Sequence, residues 1–143
     1  MDTPTEEQAQ HRPDGLAHSA RPPRVAHEAA TLLGAVASVA VCWRLAPSEV
    51  AAALGVPEAT YTAWRTAGPP AVLDAACVTR IGHLLAIYAE TQAFYGVGTT
   101  IAATWLDRPG TAANDCDPAR PSLTGSTESL AALRVAVRRR VSL

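Results

Sequence analysis

Aromatic residues make up only 5% of this chain, with a single phenylalanine, and methionine also occurs once. Sheet cores draw on β-branched and aromatic side chains, so this scarcity points away from β architecture. Charge of one sign is lacking as well. Twelve basic residues stand against thirteen acidic ones, a formal net charge of −1, which supplies no global attraction to nucleic acid. The three cysteines, Cys42, Cys77 and Cys116, are far apart and odd in number. No Cys-x-x-Cys pair exists, so neither a zinc knuckle nor a disulfide framework is indicated, and a reducing cytoplasm fits best. Cys42 and Cys77 sit in apolar runs and read as small buried hydrophobes. Long hydrophobic runs are missing too. The uncharged stretch from Ala29 to Trp43 falls short of the roughly 20 residues that span a bilayer. It follows a segment with acidic residues where a signal peptide wants basic ones. It therefore reads as a buried core helix, with no membrane partner.

What is present is alanine, leucine and valine within an apolar fraction of 48%. That composition suits closely packed short helices, and an all-α fold is expected. At 143 residues the chain makes one domain, or one with a second small lobe. Residues 1–24 carry Pro4, Pro13, Pro22 and Pro23 among polar and charged residues without apolar periodicity, the pattern of a disordered arm. Arg12, Arg21 and Arg24 make its second half mildly basic.

Residues 25–68 form the second region. Leu32, Leu33, Val36, Val39 and Trp43 recur at steps of three and four, predicting a helix from Val25 to Arg44. Pro47 to Thr66 then fits a helix-turn-helix template. Pro47 or Ser48 opens its first helix with Glu49 in the first turn, Ala51 is the small crossing residue, and Gly55 supplies the turn. Val50, Leu54, Val56, Tyr61 and Trp64 take the inward positions.

Residues 69–143 are expected to form a helical lobe. A long helix from Ala71 to Tyr95 uses Val72, Leu73, Ala76, Ile81, Leu84, Leu85, Tyr88 and Phe94 as its apolar positions and ends at Gly96. A short helix from Val97 to Leu106 carries Ile101 and Trp105, and Pro109-Gly110 stops it. Gly110 to Ser122 reads as a polar loop. The last helix, Thr127 to Val141, aligns Leu130, Leu133, Val137 and Val141 on one stripe.

No constellation for chemistry emerges. His11, His18, His27 and His83 form no ligand set, and Asp107, Asp115 and Asp117 lack the glutamate of a calcium loop. Gly96-x-Gly98 follows a helix and not a strand, so it is a hinge and not a phosphate loop. The expectation is a protein that is no enzyme and holds no metal or cofactor.

The second helix of the helix-turn-helix would present Glu58, Ala59, Thr60, Thr62, Ala63, Arg65 and Thr66 toward a DNA groove. Base readout favours Arg, Lys, Asn and Gln, and Arg65 is the lone cation on this face, while Glu58 repels phosphate. The motif therefore reads either as a regulator's DNA-binding element or as a packing and dimerisation unit. Trp105 and Leu106 likewise have two readings, an interface anchor or a core pair. So do Arg134 and Arg138 to Arg140: a solvated face that offsets the helix dipole, or a basic tail that enters a partner's cleft.

Two segments together resemble a known family, the antitoxins with an Xre/MbcA/ParS-type toxin-binding domain. The first is Trp43-Arg44-Leu45, Glu49-x-Ala51-Ala52-Ala53-Leu54-Gly55-Val56 and Thr60-Tyr61-Thr62-Ala63-Trp64. The second is Arg80-Ile81 through Tyr88, Phe94-Tyr95-Gly96, Ala102-x-x-Trp105-Leu106-x-x-Pro109 and Leu123-x-Gly125. The resemblance implies a type II antitoxin that masks the active site of a RES-domain, NAD-degrading toxin. It also implies a homodimer formed through the helix-turn-helix region, with possible repression of its own operator. Carried over, Trp105, Leu106, Arg108, Pro109, Leu123 and Gly125 would shape the toxin-binding lobe. The tail with Arg138, Arg139, Arg140 and Leu143 would approach the toxin's pocket. The chain departs from the family pattern in three respects: Gly110 to Ser122 intervenes where the family has only a few residues, a proline expected shortly after the glycine is replaced near Thr127-Glu128, and the terminal helix ends in an arginine cluster.

Overall fold

A computed structural model describes residues 28–114 and 116–142. The expected disordered arm at 1–24 lies outside the described residues, as does Leu143. The fold is all-α, and no strand occurs among the described residues.

The first helix, α1, covers residues 28–43. Val36, Val39 and Trp43 fall on one face at helical spacing and are buried. Arg44 then turns into the left-handed region with φ 56, and the Leu45 N–H returns to the Ala40 carbonyl at 2.9 Å. Glycine normally fills such a helix stop, and a side chain there costs about 1–2 kcal/mol.

Helix α2 spans Pro47–Leu54 and helix α3 spans Glu58–Ala67. Pro47 stands in the first turn of α2, where its missing N–H costs nothing. The Glu49 carboxylate accepts from the Ala46 N–H at 2.9 Å, tying down one of the donors at the helix start. Gly55 ends α2 with φ 75. A side chain there would also collide with Arg80, whose Cδ lies 3.0 Å from the position of an added Cβ. Val50, Ala51, Leu54 and Tyr61 are buried, and Val56 and Trp64 are half-buried, so the inward positions of the helix-turn-helix are those expected.

Helix α4 spans Ala75–Tyr95, beginning four residues later than the sequence predicts. Residues 71 and 72 form a bend, and Asp74 is still extended with ψ 145. Helical spacing therefore does not govern Leu73, which is buried, or Val72, which is exposed. Ile81 and Leu84 are buried and Leu85 and Tyr88 half-buried as expected. Ala76 and Phe94 are exposed instead, and on the last turn of α4 it is Tyr95, half-buried, that packs against the core.

The short helix also differs from expectation. Gly96 and Gly98 both take positive φ, 101 and 78, so α5 starts only at Thr100 and runs Thr100–Thr104. The Thr99 hydroxyl caps it by accepting from the Ala102 N–H at 3.1 Å. A tighter 3-10 turn, Trp105–Asp107, completes it. Part of the predicted loop at 110–122 is helical as well: α6 is a single turn, Arg120–Leu123, opened by Pro121. Helix α7 spans Thr127–Val141, as the stripe predicts. Ser126 caps it by accepting from the Ser129 N–H at 3.1 Å.

Arg80 meets Thr127, His83 meets Arg134, and Tyr95 shares a cleft with Val141. Helices α4 and α7 therefore run side by side in the same direction. Ala29 and Leu32 line a cleft with Leu73 and Val78, and Trp43 lies against Tyr88, so α1 runs along α4 in that direction too. The halves 28–68 and 69–142 share one hydrophobic cluster. At its centre Trp43 meets Tyr88 and Trp105 edge-on, with ring centroids 5.5 and 5.6 Å apart. Cys77 is buried as expected. Cys42 is only half-buried and takes a Gln92 amide hydrogen bond at 3.4 Å.

Candidate functional site

The turn at Trp105–Pro109 and the turn at Leu123–Gly125 are separated by the loop at 110–122, yet the structure draws them to one place. Trp105, Leu106 and Leu123 are all buried in the common cluster. Their neighbour Asp107 faces Arg120 across the mouth of that loop. Arg120 Nε and Nη2 donate to the two Asp107 oxygens at 2.7 and 3.1 Å, and Nη1 donates to Glu49 Oε2 at 3.0 Å. Nη2 also reaches the Trp43 carbonyl at 3.3 Å, at the end of α1. One guanidinium thus joins three elements, the geometry for which its planar fork is suited. These hydrogen bonds hold the Asp107 carboxyl below its usual range and raise the Arg120 guanidinium above its own.

The segment at 110–122 is compact. The Gly110 and Ala112 N–H groups both donate to the Asp117 carbonyl, at 3.2 and 3.0 Å. Thr111 is buried. Its hydroxyl donates to the Arg108 carbonyl at 2.8 Å and accepts from the Ala119 N–H at 2.9 Å. Asn114 Oδ1 accepts from the Cys116 and Asp117 N–H groups at 3.0 and 2.8 Å. Arg140 closes the far side, donating to the Thr111 and Ala112 carbonyls at 2.7 and 2.8 Å.

Gly125 sits beside a second buried arginine. Arg80 is 5% exposed. It donates to the Ala53 carbonyl at 2.6 Å, the Ala52 carbonyl at 3.3 Å, the Gly125 carbonyl at 2.8 Å and the Thr127 hydroxyl at 3.0 Å. The open carbonyls at the end of α2 are thereby tied to the start of α7. Burial pushes the Arg80 guanidinium down from its usual value. Gly125 is required by space, since an added Cβ would lie 3.2 Å from the Pro121 carbonyl oxygen. Sequence reasoning gave no role to Arg80 or Arg120. The available signal was a cation, Arg80, inside the apolar stripe of Cys77, Ile81 and Leu84.

The remaining predicted residues fall elsewhere. Arg108 and Pro109 are exposed at the mouth of the segment at 110–122. Arg138 and Arg139 are exposed on the last turn of α7, whereas Arg140 is half-buried against that segment. Leu143 lies outside the described residues. On α3, Glu58, Thr62, Arg65 and Thr66 are exposed and Thr60 is half-buried, so this face is open to solvent. The Arg65 guanidinium lies over the Tyr61 ring, 5.9 Å from its centroid. The Thr66 hydroxyl is spent on the Thr62 and Ala63 carbonyls.

Among the described residues, no group of three or more His, Cys, Asp or Glu side chains is arranged to hold a metal ion. No helix of the described residues is long and apolar enough to cross a membrane. No family model matches the chain, and neither a curated protein nor a solved structure matches it.

Proposed function

We propose that this chain is an antitoxin: it binds a cognate toxin, of the RES-domain NAD-degrading kind, and inhibits it by covering the active site. The observation that carries the reading is the closure of the two motif turns on each other. Trp105-Leu106-Asp107 and Leu123-x-Gly125 meet around Arg120 and Arg80 despite the segment between them. Their apolar residues are sealed inside, so they act by building the lobe, and the surface left for a partner is the one that lobe displays. A homodimer through the helix-turn-helix region belongs to the same proposal. So does repression of the chain's own operator, which draws on the open face of α3.

The test is co-expression with the product of the adjacent gene, followed by co-purification and an assay of cellular NAD. A tight complex that restores NAD is expected. If the neighbour neither binds nor lowers NAD, the antitoxin reading falls. A stand-alone helix-turn-helix regulator then becomes the better account. It would be recognised by toxin-free binding to its operator that weakens as salt rises.

A further inference from the structure

Arg44 occupies a backbone position that suits it poorly. It follows the last turn of α1 with φ 56, and the Arg44 and Leu45 N–H groups return to the Val41 and Ala40 carbonyls at 3.3 and 2.9 Å. Such a helix stop is ordinarily made by glycine, which has no side chain to strain it. A strained residue points to a use outside the backbone, and the guanidinium is what arginine has and glycine lacks.

Arg44 stands on the wall of a cleft of about 340 Å³ formed by the end of α1 with α2 and α3. Val41 and Leu45 beside it, Val50 of α2 and Tyr61 of α3 give the cleft apolar surface, and Arg65 of α3 also lines it. Val41 is 80% exposed, so this surface is open to solvent. Both arginines are exposed as well. Among the described residues the Arg44 guanidinium has no hydrogen bond or ion pair, and Arg65 has only the face of the Tyr61 ring. Arg80, Arg120 and Arg140, by contrast, are engaged by carbonyls or carboxylates. None of the residues lining the cleft is acidic.

We propose that this cleft binds a small organic anion: a carboxylate held by Arg44 and Arg65, joined to an aromatic or short aliphatic body that covers Val41, Leu45 and Val50. A guanidinium fork matches a carboxylate with paired hydrogen bonds. Small-molecule sites begin at about 300 Å³ and are mostly apolar with a few polar groups, as this cleft is. Nucleic acid is a poorer occupant, because a phosphate would take the arginines and leave the apolar surface uncovered. The proposal is independent of the antitoxin reading, since it uses none of the residues assigned to the toxin.

The experiment titrates the full chain with sodium naphthylacetate and follows its methyl resonances by NMR. Naphthylethanol, which lacks the charge, and acetate, which lacks the body, are titrated alongside. Saturable shifts are expected at the Val41, Leu45 and Val50 methyls, with each control about tenfold weaker or more. Arg65→Met should weaken naphthylacetate about tenfold or more and leave the melting temperature unchanged. Arg44→Gly separates strain from recognition. It should raise the melting temperature, because the left-handed turn is then unstrained, and yet weaken naphthylacetate about tenfold or more. A residue that served only to end α1 would give the first effect without the second.

Shifts that do not saturate, or that fall elsewhere on the molecule, would overturn the proposal. Equal binding of the neutral alcohol would do the same, by showing an apolar cleft that does not recognise charge. So would wild-type affinity in both arginine variants. A mixed-sequence DNA duplex that moves the same methyls through Arg44 and Arg65, with naphthylacetate inert, would assign the arginines to phosphate. A dimer that Val41→Asp converts to monomer, again with naphthylacetate inert, would put a second copy on the cleft. Either result would overturn the small-anion site.

Discussion

Asp107 and Arg120, 13 residues apart in the chain, close the base of the segment at 110–122 with paired hydrogen bonds of 2.7 and 3.1 Å. Because the same guanidinium holds Glu49 and the Trp43 carbonyl, the clasp joins the helix-turn-helix half to the C-terminal half. Arg120→Ala should destabilise the chain by about 1–3 kcal/mol, the range for hydrogen bonds to a charged group. Asp107→Asn should cost less, about 1 kcal/mol or under, because that carboxylate is largely exposed. Urea unfolding of the two single variants and the double variant measures the coupling. Additive effects would show that the pair contributes nothing. The lowered Asp107 carboxyl gives the clasp a pH dependence. Its contribution is present above the ordinary carboxylate value of about 3.9 and is lost as pH falls through the lower folded one.

Arg80 satisfies the Ala53 carbonyl at the end of α2 in a buried hydrogen bond, and it also holds the Gly125 carbonyl. Arg80→Met keeps the stem and removes every donor, leaving those acceptors unpaired, at a cost of about 3 kcal/mol. Arg80→Lys recovers only part of this, because one ammonium cannot span the positions the guanidinium fork reaches. Gly125→Ala forces a Cβ toward the Pro121 carbonyl and should cost about 1–2 kcal/mol. Melting temperatures that match the wild type in Arg80→Met would contradict the hub role.

Trp105 is sealed in the core against Trp43. Trp105→Ala should cost about 3–5 kcal/mol and weaken toxin neutralisation through loss of the fold. Trp105→Phe should keep most of the packing and most of the binding. A folded Trp105→Phe chain that no longer neutralises would instead mark the indole as a contact.

His83 Nδ1 lies 3.2 Å from the Arg134 guanidinium across the α4–α7 seam. Burial, then the positive charges of Arg134 and Arg80, hold the imidazole below its ordinary value. With a depressed folded value, the unfolded chain takes up the proton first. Stability should therefore fall as pH drops below about 6.5 and level off once the folded imidazole is also protonated. In His83→Gln that slope should disappear from the melting-temperature profile between about pH 5 and 7. An unchanged slope would place the titration elsewhere.

Helix periodicity carried well wherever a helix was bounded by strong stops. Thr127–Val141 appears with the predicted bounds because Ser126 caps one end and the apolar stripe persists to the other. Expectations failed where a local breaker outweighed the period. The bend at residues 71–72 and the extended Asp74 put the start of α4 late, and the positive φ of Gly96 and Gly98 delayed α5. Phe94 was assigned to the core because it keeps the apolar period of α4, but on that last turn Tyr95 takes the place against the core and Phe94 faces outward.

By itself, the sequence determined the helical class, the turn at Gly55 and the inward residues of the helix-turn-helix. These follow from local backbone preference and from apolar spacing along a single helix, both written in neighbouring residues. Tertiary structure alone decided what the arginines do. Arg80, Arg120 and Arg140 are spent on carbonyls and carboxylates drawn from distant parts of the chain, while Arg138 and Arg139 remain on the surface. A guanidinium reads the same in a sequence whether it is buried or solvated. Only the packing of α4, α6 and α7 sets which of them finds acceptors.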